Sequence, residues 1–272
     1  MVVFPNAKIN IGLNILSKRE DGFHNLQTIF APIALKDALE VIEVESDRGA
    51  VDFTSSGLYV PGTSDGNLCV KACRLLQQDF PALPGLKMHL HKVIPMGAGL
   101  GGGSADAAFT LQLINQKFSL NLSSQQLLAY ASQLGSDCAF FMLNKACYAT
   151  GRGEVLEPIA LDLSAYAIVL LNPGIHISTS LAFSNINIGK NPDDLRLPIS
   201  KHISTWRESI VNDFEEPVFA AYPEIAQIKA TLYEAGALYA SMSGSGSSVY
   251  GIFSKENAST LNFHTHYLQR WF

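Results

Sequence analysis

Glycine is concentrated in one short stretch of this chain, and such a stretch has the chemistry to bind phosphate. Five of the 21 glycines fall within seven residues, at positions 97, 99, 101, 102 and 103. Glycine adopts positive φ angles and lets the backbone approach a ligand closely, so that successive amides can surround an anion. A helix that begins after the loop adds about half a positive charge directed at the same anion.

The elements predicted on either side of the glycines favour an anion-binding loop over a mobile linker. Apolar and polar residues alternate from Leu86 to Ile94, which predicts a strand. Apolar residues at helical spacing follow the glycines and predict a helix whose N-cap is Ser104. A linker is rarely placed between a strand and a capped helix. The candidate phosphate-binding residues are Pro95, Met96, Gly97, Ala98, Gly99, Leu100, Gly101, Gly102, Gly103, Ser104 and Ala105.

Two familiar phosphate motifs do not account for this loop. Glycines at 97, 99 and 102 match the dinucleotide fingerprint formally, but no Asp or Glu occurs from Ala107 to Ser136 to bind the ribose. The P-loop requires Gly-Lys followed by Ser or Thr, whereas the only Gly-Lys pair, Gly189-Lys190, is followed by Asn191. The remaining interpretation is a longer loop whose amides surround a triphosphate.

Three segments together resemble the motifs of the GHMP kinases, a family of ATP-dependent small-molecule kinases. Pro95-x-x-x-Gly99-Leu100-Gly101-x-x-Ser104 is similar to their second motif. Pro5-x-Ala7-Lys8-Ile9-Asn10 resembles the first, and Ser243-Gly244-Ser245-Gly246 resembles the third. Because the three occur in the family's order, the resemblance spans nearly the whole chain.

The resemblance implies an α+β fold of two domains with the active site in the cleft between them. Residues 1–158 would form an ATP-binding domain similar to ribosomal protein S5, and residues 159–272 a ferredoxin-like domain. The boundary is expected where Gly151, Gly153 and Pro158 precede a new apolar strand.

Two charged residues meet the needs of a kinase that phosphorylates an alcohol. Such an enzyme requires a carboxylate to accept the hydroxyl proton and a cation to offset charge on the moving phosphoryl group. Asp137 is the only carboxylate between Asp106 and Glu154, and Lys8 lies beside Asn10 on one face of a predicted strand. Lys8 and Asp137 are therefore the candidate catalytic residues. The alternatives are a helix N-cap for Asp137 and a solvent-exposed strand lysine for Lys8.

One segment resembles the branch of the family whose substrate carries a cytidine diphosphate group. It reads Arg19-x-Asp21-Gly22-Phe23-His24, and Gly151-x-Gly153-Glu154 supports the same assignment. In that branch the aromatic ring stacks on cytosine and the histidine bonds its edge. Phe23 stands where Tyr is usual, so stacking is retained and a phenol contact is lost. The resemblance also implies substrate contacts for Asn10 and Thr179.

ATP as co-substrate and Mg²⁺ are the cofactors that the resemblance implies. Asp106 stands where the family commonly has Asn, which makes it a candidate metal neighbour, and the metal ligands stay unassigned. His89-x-His91 and His264-x-His266 lack an evident third ligand. The expected activity is phosphorylation of a hydroxyl on the cytidine-bearing alcohol. The alternatives are a kinase of homoserine, mevalonate or a sugar, a non-catalytic nucleotide sensor and, remotely, a dinucleotide oxidoreductase.

Composition narrows the class of protein further. Only 16% of the residues are charged and the net charge is −5, which argues against a nucleic-acid-binding protein. No run of 18 apolar residues or leader sequence is evident, so we expect a cytoplasmic protein without a membrane partner. The four cysteines lack metal-ligand spacing and are expected to be buried thiols. A monomer or a homodimer is expected.

Overall fold

The computed structural model describes residues 1–44, 49–178, 182–183, 186, 188, 193–256 and 267–272. The strands, in chain order, are β1 (Val2–Val3), β2 (Asn6–Lys18), β3 (His24–Lys36), β4 (Ala38–Val44), β5 (Val51–Gly57), β6 (Gly85–Lys92), β7 (Cys147–Thr150), β8 (Val155–Pro158), β9 (Tyr166–Asn172), β10 (Tyr239–Met242), β11 (Val249–Ser254) and β12 (Leu268–Trp271). The helices are α1 (Leu68–Asp79), α2 (Gly102–Lys117), α3 (Ser124–Leu134), α4 (Ser136–Leu143), α5 (Arg196–Ile199), α6 (Trp206–Ser209), α7 (Glu215–Ala221) and α8 (Pro223–Glu234), with 3₁₀ turns at Ser64–Gly66 and Ile203–Thr205. The fold is α+β, as the sequence predicts.

The chain forms two compact units. The first unit comprises Met1–Ala7, Ala34–Met96 and Gly101–Asn144. The second unit comprises Lys8–Ile33, Gly97–Leu100 and Lys145–Phe272. The expected domain boundary after residue 158 stays a prediction.

The first unit contains one sheet with the strand order β1-β4-β6-β5. Strand β6 pairs antiparallel with β4 and parallel with β5. Alternate residues of β6 are buried, because Leu86, Met88 and Leu90 pack in a core that also includes apolar side chains of α1 to α4. This alternation is the period of two that the sequence predicts for the strand before the glycine loop.

The second unit contains a sheet ordered β10-β11-β9-β12, in which β9 is central to two antiparallel pairings. Its core includes the apolar face of α8, at Ile225, Ile228 and Leu232. A further sheet, ordered β2-β3-β7-β8, carries the N-terminal motif on β2. Every residue of β2 from Asn6 to Ile15 is buried, so both faces of this strand are covered.

The capping signals show where sequence reasoning about helices is accurate. The capping box predicted at Ser123 and Gln126 is confirmed at the start of α3, and that helix ends before Gly135 as expected. Asn67 caps α1, since its side-chain oxygen accepts the N–H of Cys69 at 2.8 Å. The N-cap predicted at Ser104 is wrong, because α2 begins at Gly102 after Gly101, whose φ of 68° precedes the first turn.

The four cysteines are free and buried, as predicted. Desolvation raises the pKa of the Cys69 and Cys73 thiols, that of Cys73 to about 12. It also raises the pKa of Cys138 and of Cys147, each to about 11. In the described part of the chain, no helix is long and apolar enough to cross a membrane.

Candidate active site

Two glycine-containing segments of the second unit approach each other as closely as backbones allow. A Cβ atom on Gly99 would lie 1.8 Å from the carbonyl oxygen of Ser243, and one on Gly246 would lie 2.1 Å from the carbonyl carbon of Ala98. The Ser243 hydroxyl donates to the Gly99 carbonyl at 2.9 Å. The third motif therefore fixes the backbone of the glycine loop, and no side chain fits between the two segments.

Lys8 and Asn10 meet the same loop from β2. The Lys8 ammonium donates to the Asn10 side-chain oxygen at 2.6 Å and to the Gly99 carbonyl at 3.1 Å, and it lies 4.9 Å from the centre of the Phe30 ring. The Asn10 Nδ2 atom of the side chain donates to the Thr28 hydroxyl at 3.0 Å, which fixes the orientation of that side chain. Lys8 is only 4% exposed. The alternative of a solvent-exposed lysine is therefore wrong.

The remainder of the glycine loop forms the start of α2 in the first unit. Gly101 is the N-cap residue, and no side chain caps the first turn. The amides of that turn and the positive end of the helix dipole are the groups that bind anions at helix N-termini. Ser104 lies within the first turn of α2, and its hydroxyl forms a hydrogen bond with the Cys138 sulfur. This part of the loop has the geometry expected of a phosphate-binding site.

A cavity of about 100 Å³ lies beside this helix start in the first unit. Its wall combines apolar side chains with two polar residues and is formed by Val60, Pro61, Gly66, Asn67, Leu68, Leu90, Met96, Gly103 and Asp106. Sequence reasoning identified Met96 and Gly103 as part of the glycine loop but missed Val60 and Leu90. Val60 lies in an irregular segment without a periodic pattern, so no sequence signal marked it.

A buried ionic cluster lies next to the first turns of α2. The Lys92 ammonium donates to Asp37 and to Asp106, at 2.7 Å to the Asp106 Oδ2 atom. The other Asp37 oxygen accepts the backbone N–H groups of Val93 and Ile94 at 2.6 and 2.8 Å. The Asp106 Oδ1 atom is buried and has no hydrogen-bond partner among the described residues. The cluster joins the end of β6 to α2, on either side of the glycine loop.

Burial raises the pKa of the Asp106 carboxyl to about 7. Lys92 opposes this shift and the second carboxylate, Asp37, adds to it. One oxygen of Asp106 is already bonded to the Lys92 ammonium, so we do not assign this carboxylate as a magnesium ligand. Within the described ranges, no three His, Cys, Asp or Glu side chains are grouped to hold a metal ion.

Asp106→Asn is expected to change how stability depends on pH. The folded state holds a proton on Asp106 up to about pH 7, whereas an unfolded Asp loses it near pH 4. The stability that this proton contributes is present at low pH and is lost as the pH rises through about 7. Urea unfolding should therefore show the variant gaining about 1–3 kcal/mol relative to wild type between about pH 5 and about pH 8.

The control for this prediction is Asp52→Asn. Asp52 is an exposed carboxylate 4.0 Å from Lys87, on the strand next to β6. Its substitution should change the free energy of unfolding by less than about 1 kcal/mol, because exposed ion pairs contribute little. Parallel wild-type and Asp106→Asn profiles would contradict the proposed titration.

Asp137 lies in the first turn of α4, and its side chain is half-buried. The N-cap of this helix is Gly135, and no side chain caps it. The alternative of Asp137 as the N-cap is therefore wrong. Its charge is favoured by the helix dipole at this position. Its catalytic role stays a prediction.

The residues predicted to bind cytidine lie at the start of β3. Phe23 is 54% exposed and follows a turn in which Asp21 accepts the Phe23 N–H at 3.1 Å. His24 stacks on Phe183 with ring centres 4.7 Å apart and an interplanar angle of 22°. Burial, and secondarily Lys18, lowers the pKa of His24, so the imidazole is neutral at physiological pH and can donate and accept.

The other aromatic and polar residues considered for the site differ in where the structure places them. Sequence reasoning missed Phe183, since a lone aromatic in a polar segment carries no motif. Thr179 lies outside the described residues, as do His264 and His266. His89 and His91 are exposed on β6 and contact the hydroxyls of residues 54 and 56 on β5.

Comparison with known proteins decides the family. The model of the GHMP kinases N terminal domain matches residues 67–145, and that of the GHMP kinases C terminal matches residues 199–261. A protein from Bacteroides fragilis is 50% identical over 260 residues, which are 96% of this chain and 94% of that protein. The chain belongs to the GHMP kinase family.

Two relatives of this GHMP kinase share one name. The Bacteroides fragilis protein is called 4-diphosphocytidyl-2-C-methyl-D-erythritol kinase. So is a Cytophaga hutchinsonii protein that is 46% identical over 269 residues, 97% of this chain and 95% of that one. The high identity over nearly the whole chain therefore confirms the resemblance to the branch of the GHMP kinases whose substrate carries a cytidine diphosphate group.

Solved structures agree with this assignment of the fold. The crystal structure of a 4-(cytidine 5'-diphospho)-2C-methyl-D-erythritol kinase matches with a TM-score of 0.79 and 32% identity, covering 93% of this chain and 90% of that one. The Methanococcus jannaschii mevalonate kinase matches with a TM-score of 0.73 and 14% identity, covering 100% and 96%. The second match shows that the GHMP kinase fold is shared across substrates.

Proposed function

We propose that this GHMP kinase transfers the γ-phosphoryl group of ATP to the 2-hydroxyl of 4-diphosphocytidyl-2-C-methyl-D-erythritol. The products are the 2-phosphate and ADP, and the reaction belongs to the non-mevalonate route to isoprenoid precursors. The observation that carries this proposal is the 50% identity, over 96% of the chain, to a protein of that name. The three motifs of the family, all present in order, support it.

ATP binding is assigned to the glycine loop and the neighbouring cavity. The uncapped first turn of α2 would hold the phosphates. The apolar cavity walls, with Leu68 and Leu90 among them, suit the flat adenine ring. Mg²⁺ would enter bound to the ATP phosphates as part of this substrate and would neutralise charge on them.

The transfer step is assigned to Asp137 and Lys8. Asp137 would accept the proton of the attacking 2-hydroxyl, and Lys8 would offset the negative charge of the moving phosphoryl group. Asn10 holds the Lys8 ammonium at 2.6 Å, so it is assigned to positioning that cation and to substrate contact. Little covalent chemistry is required of the protein, and most of the acceleration would come from alignment and electrostatics.

The cytidine group is assigned to Phe23 and His24. An exposed phenylalanine ring presents a face for the pyrimidine, and a neutral histidine can both donate to and accept from its edge. Thr179 is proposed as a further substrate contact through its hydroxyl. Phe183 stacks on His24 and would hold the imidazole in orientation.

An ATP-consumption assay over candidate alcohols, with Mg²⁺ present, tests the proposed function. We expect turnover with the cytidine-bearing alcohol and competition by CDP or CMP, because the cytidine group supplies part of the binding energy. Turnover of homoserine, mevalonate or a sugar without an effect of CDP would identify another kinase of this family. A complete lack of ATP consumption across the panel would identify a nucleotide sensor.

The proposed setting is the cytoplasm. All four cysteines are free thiols, which is typical of a reducing compartment. We propose a monomer or a homodimer that needs neither nucleic acid nor a membrane for this reaction. Size-exclusion chromatography with light scattering measures the oligomeric state.

A further inference from the structure

The turn between β7 and β8 carries an arginine that no step of the proposed mechanism uses. This turn, residues 150–153, closes with a hydrogen bond from the Gly153 N–H to the Thr150 carbonyl at 3.1 Å. The Gly151 carbonyl accepts the N–H of Leu26 at 2.8 Å, two residues beyond His24 on β3. The turn is therefore attached to the strand that holds the proposed cytidine site.

Arg152 projects from this turn over the Phe23 ring. Its guanidinium carbon lies 4.9 Å from the ring centre, within the range of a cation–π interaction. Gly153, the next residue in the chain, lies close to Phe30, since a Cβ on Gly153 would be 3.6 Å from the Phe30 ring. The centre of the Phe30 ring in turn lies 4.9 Å from the Lys8 ammonium. The turn thus lies between the residue assigned to cytosine and the residue assigned to the phosphoryl group.

Arg152 has unused hydrogen-bonding capacity, unlike two other arginines of the second unit. Arg19 uses its nitrogens on Asp21 and Asn25, and Arg196 uses its nitrogens on Asp194 and Glu157. The Nε atom of Arg152 lies 3.5 Å from Glu154. Within the part of the chain that the structure describes, neither terminal nitrogen of Arg152 has a hydrogen-bond partner. Its side chain is 38% exposed, so these donors are open to a ligand.

Two carboxylates, Asp21 and Glu154, lie near Arg152, and neither neutralises its positive charge. Asp21 forms a bidentate pair with Arg19, and that pairing is the main reason that the pKa of Asp21 is lowered. Glu154 accepts the backbone N–H of Arg152 at 2.5 Å and so holds the turn. A planar guanidinium with two free nitrogens matches the oxygens of a phosphate group.

We propose that Arg152 binds the diphosphate of the cytidine-bearing substrate while its guanidinium covers one face of Phe23. This assignment rests on the proposed function and adds a substrate-binding residue to it. The diphosphate joins cytidine to the reacting alcohol, so it must lie between their two binding sites. Among the residues that the structure describes, Arg152 is the cation placed there.

The test measures inhibition of the full-length enzyme by CDP and by cytidine. For Arg152→Gln we expect the inhibition constant of CDP and the KM of the alcohol to rise about tenfold, since charged hydrogen bonds to phosphate are lost. Inhibition by cytidine, which has no phosphate, and the KM of ATP should stay within about twofold of wild type. Arg152→Lys should retain most of the CDP affinity, because it keeps the charge.

Arg196→Gln is the matched control. Arg196 also lies over a ring, 4.7 Å from the centre of Tyr148, and is similarly exposed, but its donors are occupied. Its substitution should leave both inhibition constants unchanged. Equal weakening of CDP and cytidine by Arg152→Gln would overturn the diphosphate contact, and unchanged constants would overturn it as well. A wild-type enzyme indifferent to CDP would overturn the proposed function and this inference together.

Discussion

Asp137→Asn is expected to lower kcat by about 10²–10⁴-fold while ATP still binds. The amide has almost the shape of the carboxylate but cannot accept the proton of the attacking hydroxyl. The glycine loop is unchanged in this variant, so the affinity for ATP should stay close to that of wild type. Single-turnover kinetics and calorimetric titration with ATP measure the two quantities separately.

Glu224→Gln provides the matched control for Asp137→Asn. Glu224 also lies in the first turn of a helix, α8, and its substitution removes the same favourable charge from a helix N-terminus. Turnover should be unaffected. If Asp137→Asn retained phosphorylation of the substrate at the wild-type rate, Asp137 could not be the base.

Gly99→Ala is expected to lower the free energy of unfolding by about 3 kcal/mol or more and to raise the KM for ATP. The added Cβ would lie 1.8 Å from the Ser243 carbonyl oxygen, at a residue whose φ is 81°. Backbone lies on both sides of the contact, so no side-chain rotation relieves it. The glycine loop must move away from the third motif. Urea unfolding and steady-state kinetics measure the two effects.

Gly236→Ala is the control, and it separates the destabilisation by the steric clash from the destabilisation by a positive φ angle. Gly236 has a φ of 92°, but no atom lies within 4 Å of where its Cβ would be. Gly236→Ala should therefore cost only about 1 kcal/mol and leave the KM for ATP unchanged. If Gly99→Ala and Gly236→Ala lowered the free energy of unfolding equally, the steric contact with Ser243 would not be the cause of the loss.

Local patterns predicted much of the fold. Alternation identified β6 and the buried strand β2, and the pairing of Ser123 with Gln126 identified the start of α3. These signals depend on residues within about one turn of each other or on strict periodicity. The start of α2 was misplaced because Gly102 and Gly103 have no helical signal of their own, and the preceding left-handed residue, Gly101, sets the first turn.

The site was predictable by motif but not in its supporting contacts. Lys8, Asn10 and the glycine loop were identified from the sequence, and the structure brings Lys8, Asn10 and Gly99 of that loop together in the second unit. The ionic cluster around Lys92 joins residues from three separate segments of the chain, so no local sequence spacing predicts it. The same holds for Arg152 over Phe23, whose contact arises from the pairing of strands far apart in the chain.

The burial of every cysteine has a practical consequence for experiments on this enzyme. A buried thiol with a raised pKa forms little thiolate, and thiolate is the species that reacts with maleimides and oxidants. A single cysteine introduced on the surface would therefore accept a fluorophore without removal of the four natural ones. Pairs of such labels, at exposed positions of each unit, would allow energy-transfer measurements during turnover on an otherwise native sequence.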